Sequence, residues 1–160
     1  MILILKILGF ILTRVLKNIT LSEYLEKKIW KPLGMENDAS WLIDSKGMER
    51  AFVGINATAL DYAKIGRLVL NNGNWNGKQI IQKDWIEKSF AKDSSNASPI
   101  DYQYQWYLKD GGEKGIYALG YRGQVIYFNK ESDIVGVRLG KKHGKMDWDG
   151  LFHLISEKYK

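Results

Sequence analysis

The hydrophobic pattern is sharpest between residues 118 and 139. Val125 and Tyr127, then Ile134, Val135, Val137 and Leu139, place β-branched, aromatic and aliphatic residues with partial period-two spacing. Asn129-Lys-Glu-Ser132 is a polar turn cluster, so the stretch predicts two strands joined by a turn. Gly120-Tyr-Arg-Gly123 precedes the first of them. Two glycines three apart at the start of a strand let a backbone or a ligand come close. Tyr102–Leu108 also alternates and reads as a strand, with Asp110-Gly-Gly112 as its turn.

Upstream the period changes to that of helices. Residues 1–16 are almost continuously apolar, but Lys6 and Arg14 interrupt them and the run is short for a membrane span. It lacks the basic start and small-residue cleavage site of a signal peptide. A core helix is the favoured reading, ahead of any membrane tether. Thr20-Leu-Ser-Glu23 is a capping box that opens a helix from Leu21 to Trp30. Leu21, Tyr24, Leu25 and Ile29 form its apolar face, and Pro32 and Gly34 end it. Residues 36–56 show no sustained period and read as a long loop with short strands, anchored by Trp41 and Phe52. Thr58, with Asp61 three residues on, caps a helix that runs to Leu70. Asn72-Gly73 suits its stop, and Asn76-Gly77 suits a tight turn. A short helix over Asp84–Phe90 follows, then a surface loop over 91–101. A last helix over Asp147–Tyr159 is expected to bury Leu151, Leu154 and Ile155. Helices, then a three-stranded antiparallel sheet, then a C-terminal helix make the fold class α+β.

Composition narrows the function. At 160 residues, 45% of them hydrophobic and 26% charged, the chain suits one globular domain. The net charge of +6 comes from scattered Lys and Arg among 18 acids, which argues against a nucleic-acid partner. With no cysteine there is no thiolate chemistry and no disulfide. His143 and His153 lie in no metal-ligand spacing. Asp147 and Asp149 are explained by a helix cap and its first turn, so neither metal nor cofactor is expected.

Several segments, taken in order, carry a resemblance. They are Leu21-Ser-Glu-Tyr-Leu25, Ile29-Trp-Lys-Pro-Leu-Gly-Met35, Ala57-Thr-Ala-Leu-Asp-Tyr-Ala-Lys-Ile-Gly-Arg-Leu68, Asn72–Ile80, Tyr104-Gln-Trp106 and Gly120–Leu139. Together they resemble the C-terminal portion of serine hydrolases related to class C β-lactamases, a group with penicillin-binding-protein-like esterases and 6-aminohexanoate-dimer hydrolases. The resemblance implies a single partial domain over 1–160, an incomplete β-lactamase/transpeptidase-like fold. It makes Tyr121, Arg122 and Gly123 the third motif, lining a substrate cleft, and it makes the Gln124 backbone N–H an oxyanion donor. Tyr104, Trp106 and Tyr107 line the same cleft or belong to the core.

The resemblance also implies a nucleophilic Ser-x-x-Lys and a Tyr triplet upstream of the Ile7–Ile11 helix, where this chain has no counterpart. Ser89-Phe-Ala-Lys92 and Tyr127-Phe-Asn129 match by letter only and read as a helix end and a cross-strand aromatic. No catalytic residue is therefore assigned. The intact parent would act on a small ester, amide or β-lactam, and the isolated chain would be inactive. The alternative is a non-catalytic module that associates with itself or with a complementing N-terminal chain.

Overall fold

The computed structural model describes residues 2–91, 102–108, 115–142 and 144–160, which divide into two compact units, Met1–Asp61 and Tyr62–Lys160. The predicted loop over 91–101, the Asp110 turn and His143 lie wholly or largely outside the described residues.

In the first unit α1 spans Ile2–Leu16. Its contact stripe is narrow and centres on Gly9, which is buried where Ala51 and Leu21 close on it. The remaining apolar positions are open. Leu3, Ile4, Ile7, Leu8, Phe10, Ile11, Leu12 and Val15 are each 37–68% exposed. The expectation of a core helix is thus corrected: the helix forms, but nothing within its unit covers most of it.

The Thr20 capping box is present, with Glu23 N–H donating to Thr20 Oγ1 at 3.1 Å and Thr20 N–H donating to Glu23 Oε2 at 2.6 Å. It opens α2, Leu21–Leu25. The helix then widens into a π-type turn over Glu26–Trp30, closed by Lys31 N–H to Glu26 O at 2.9 Å. Gly34 at φ +60° ends it, and Leu33 is buried beneath. Two short strands, β1 (Ser40–Trp41) and β2 (Ile55–Asn56), pair antiparallel in the expected loop. Asp61 organises the end of this unit. Fully buried, it accepts from Thr58 Oγ1 at 2.7 Å and from Glu36 N–H at 2.8 Å. Buried carboxylates persist when donors surround them in this way.

Helix α3, Ala59–Leu70, carries the chain into the second unit. Asn72 and Gly73, both left-handed, end it, and Gly73 N–H returns to Leu68 O at 2.8 Å. β3 (Asn74–Trp75) and β4 (Lys78–Gln79) form a hairpin around left-handed Asn76-Gly77, and α4 covers Lys83–Phe90.

The main sheet is antiparallel, in the order β5-β6-β7-β8-β9: Tyr102–Gln103, Trp106–Leu108, Ile116–Leu119, Val125–Asn129 and Ile134–Arg138. The α+β class stands, with five strands in this sheet among the described residues where three were read. Tyr102–Leu108 is two strands because Tyr104 and Gln105 both take positive φ, +46° and +74°, and fold the segment into a two-residue hairpin. β7 is the other addition.

Alternation then assigns the two faces. Leu108, Ile116 and Phe128 face α3 and α4 and form the core with Val69, Leu70 and Ile86. Phe90, Trp106 and Phe128 meet edge-to-face at 5.4–5.9 Å. The opposite face carries Tyr102, Tyr107, Tyr117 and Tyr127 in register across four strands. There α5, Trp148–Lys158, packs on β8. Phe152 stacks on Tyr127 at 5.6 Å, and the Tyr127 hydroxyl meets Ser156 Oγ at 3.0 Å. Leu154 and Ile155, expected to be buried, are 68% and 39% exposed; the helix is turned to present Phe152 and the fully buried Ser156.

Candidate functional site

The four predicted site residues fall together in the β7–β8 turn. Gly120 N–H donates to Gln124 O at 2.7 Å, and Gly123 N–H donates to Gly120 O at 2.9 Å. These bonds close the turn just beyond the Leu119–Val125 pair. Gly123 is buried at φ +77°, a conformation that favours glycine. The Gln124 side chain braces the loop from inside. Its Oε1 accepts from Arg122 N–H at 2.9 Å, and its Nε2 donates to Gly140 O at 3.1 Å. With the turn thus fixed, Tyr121 projects 94% exposed and Arg122 is exposed beside it. No bond to a described residue engages the Gln124 backbone N–H.

Sequence reasoning missed Arg138. From the end of β9 its guanidinium donates to Gly123 O and, at 3.3 Å, to Lys142 O, while its Cζ lies over the Trp148 ring, 4.3 Å from the centroid. A planar, permanently charged fork suits this double task of bonding and stacking. The available signal was Val125 opposite Arg138 in a hairpin register, which needs the turn length to be known first.

The other aromatic candidates separate. Trp106 is in the core, Tyr107 stacks on Tyr117 at 5.1 Å, and Tyr104 is a surface residue against Trp85 at 5.1 Å. Trp85 is itself 48% exposed. Tyr117 is half-buried in this row. Burial, then the negative charges of Asp149 and Asp147 with the neighbouring Tyr107, push its phenol up to about 12. Asp147 caps α5, accepting from Gly150 N–H at 3.1 Å.

Both letter matches are structural. Ser89 is 3% exposed and its hydroxyl donates to Trp85 O at 2.7 Å. Tyr127 is fully buried. Neither hydroxyl is accessible to a substrate.

An α+β unit with its antiparallel sheet between helices is the architecture of a β-lactamase-like domain. A family model described as Beta-lactamase matches residues 2–159, and the chain belongs to that family. It is 28% identical over 142 residues to the 6-aminohexanoate-dimer hydrolase of Paenarthrobacter ureafaciens, covering 81% of this chain and 36% of that one. A Bacillus anthracis structure provisionally described as a 6-aminohexanoate-dimer hydrolase superposes with a TM-score of 0.85 at 27% identity, over 94% of this chain and 41% of that one. A Bacteroides dorei protein provisionally described as a β-lactamase shares the fold at a TM-score of 0.53 and 16% identity, over 74% and 44% of the two chains. The chain thus spans well under half the length of the relatives it matches.

Proposed function

We propose that this chain forms one wall of an acyl-serine hydrolase site, with the Gly120–Gln124 turn beside the reacting carbonyl. The Gln124 N–H, which no bond to a described residue engages, on a turn held by Gln124 and Arg138, is the observation that carries this reading. A preorganised N–H costs no rearrangement when negative charge develops on the substrate oxygen. Tyr121 and Arg122, exposed on the same turn, would contact the substrate flank. The substrate class is a small ester, amide or β-lactam; the similar proteins named for hydrolysis of a 6-aminohexanoate dimer favour the amide.

A donor alone cannot begin acyl transfer, because the nucleophile and its base must also be present. The single Ser-x-x-Lys in these 160 residues has its serine buried. The isolated chain is therefore expected to release no more chromophore from a chromogenic ester or β-lactam than a heat-killed control. Turnover by the isolated chain would overturn this reading. The second reading, an association module without chemistry of its own, is favoured by the open apolar surface of α1.

A further inference from the structure

We propose that Trp85 and Tyr104 form a second subsite beside the Gly120–Gln124 turn, an aromatic platform for an apolar, uncharged arm of the substrate. The proposal rests on the reading that this turn faces the reacting carbonyl, and it specifies the chemistry of the group attached to that carbonyl.

Strand direction brings the two places together. β6 begins at Trp106, and β7, antiparallel to it, ends at Leu119. The hairpin before β6 and the turn after β7 therefore lie at the same end of the sheet. In the order β5-β6-β7-β8-β9 the two connections are separated by two strand spacings, which sets them about 10 Å apart. Leu119, 42% exposed, ends the strand between them, and Tyr121 lies beyond it. Trp85, Tyr104, Leu119 and Tyr121 thus follow one another along one end of the sheet, all within the second unit.

The β5–β6 hairpin holds its ring in a fixed place. Tyr104 and Gln105 take φ +46° and +74°, a region that bulky side chains rarely adopt. Such conformations persist only where the surroundings fix them, and they gather at ligand clamps. Here the Tyr102 hydroxyl donates to Gln105 Oε1 at 2.8 Å, and Gln103 Nε2 donates to Ser89 O at 3.0 Å. On this frame Tyr104 meets Trp85 edge to face, with the ring centroids 5.1 Å apart, and the two remain 45% and 48% exposed. Trp106, two residues on, packs against the core instead. From Tyr102 to Tyr107 the sequence Tyr-Gln-Tyr-Gln-Trp-Tyr carries no charge, in a chain where 26% of residues are charged. A rigid aromatic surface without charge suits a neutral aliphatic or aromatic group, and its rigidity lowers the entropy lost on binding. An extended chain advances about 1.2 Å per bond, so an arm of about eight bonds reaches from the turn to the pair.

The test titrates the isotope-labelled 160-residue chain with two neutral amides, N-methylacetamide and N-methyloctanamide, and follows the amide and indole resonances. The expected result is that N-methyloctanamide shifts the Gly120–Gln124 amides and the Trp85 indole N–H on one binding curve. Its affinity should exceed that of N-methylacetamide, which shifts the turn alone, by about tenfold or more. Tyr104→Asn removes the ring and keeps a residue that tolerates positive φ, so the hairpin should survive. Trp85→Ala removes the other ring. Each should lower the affinity for N-methyloctanamide about tenfold, while circular dichroism and the shifts that N-methylacetamide causes at the turn persist. Equal affinity for the two amides would overturn the proposal, as would full octanamide affinity in both variants. Shifts at Trp85 that follow chain concentration without ligand would assign the pair to a second copy and overturn it too. Shifts at Trp85 and Tyr104 with none at Gly120–Gln124 would remove the carbonyl from the turn and leave the platform standing. Shifts at the turn alone with both amides would do the reverse, and no shift at either place would overturn both readings.

Discussion

Tyr117 shows what local surroundings do to a single residue. Its phenol is pushed up to about 12 by burial and by the nearby acids, whereas in the unfolded chain it titrates near 10. As pH rises the unfolded chain therefore loses this proton first. The stabilising contribution is complete below pH about 10 and is lost as pH climbs through about 12. Denaturant midpoints measured across that window should fall, and Tyr117→Phe should flatten the fall; an equal slope in the variant would refute the assignment. Arg138 is the residue on which the candidate site leans. Arg138→Ala removes a charge-assisted bond to Gly123 O and a stacked cation from Trp148. A loss of about 2 kcal/mol is expected, read as a lower denaturation midpoint. Arg138→Lys should recover little of it, because an ammonium cannot bond along the plane in which it stacks.

Among the elements, two turns of equal length show what could be read in advance. Asn76-Gly77 announced itself, because both residues tolerate positive φ at little cost. Tyr104-Gln105 adopts the same kind of hairpin without such residues, and the segment therefore reads as one strand. Its conformation is upheld by contacts from outside the local sequence: Trp85 against Tyr104, and Gln103 Nε2 bonded to Ser89 O at 3.0 Å. Helix α5 was located correctly but oriented wrongly. Ser156 and Gly136, which carry no apolar signal, are the points where helix and sheet meet. A methyl group on Gly136 would come within 2.6 Å of the Phe152 ring. Gly136→Ala is expected to destabilise the unit by about 1–3 kcal/mol, the usual range for overpacking. Adding Phe152→Leu should recover part of that loss, and purely additive effects in the double-substitution cycle would refute the contact.

For the whole molecule, the informative feature is the mismatch between composition and burial. The apolar fraction suits a closed globule, yet α1 leaves eight large apolar side chains open. Contiguous exposed surface of this kind marks an interaction site in a native protein. The native chain should accordingly bind an apolar fluorescent dye at neutral pH, and Ile7→Lys/Leu8→Lys should remove most of the signal. Unchanged dye binding in the variant would place the open surface elsewhere.

The sequence by itself determined the helices, their caps, the Asn-Gly hairpin and the family, because these depend on neighbours a few residues apart or on segments in a fixed order. It also placed Tyr121, Arg122, Gly123 and Gln124 together at the opening of one strand; that they form a closed turn came from the structure. The tertiary structure alone decided which side of α5 is buried, that Arg138 and the Gln124 side chain brace that turn, that Ser89 and Tyr127 are sealed from solvent, and that α1 stands uncovered. Each of these depends on which distant surfaces meet, and periodicity along one chain records that a residue prefers burial without recording what buries it.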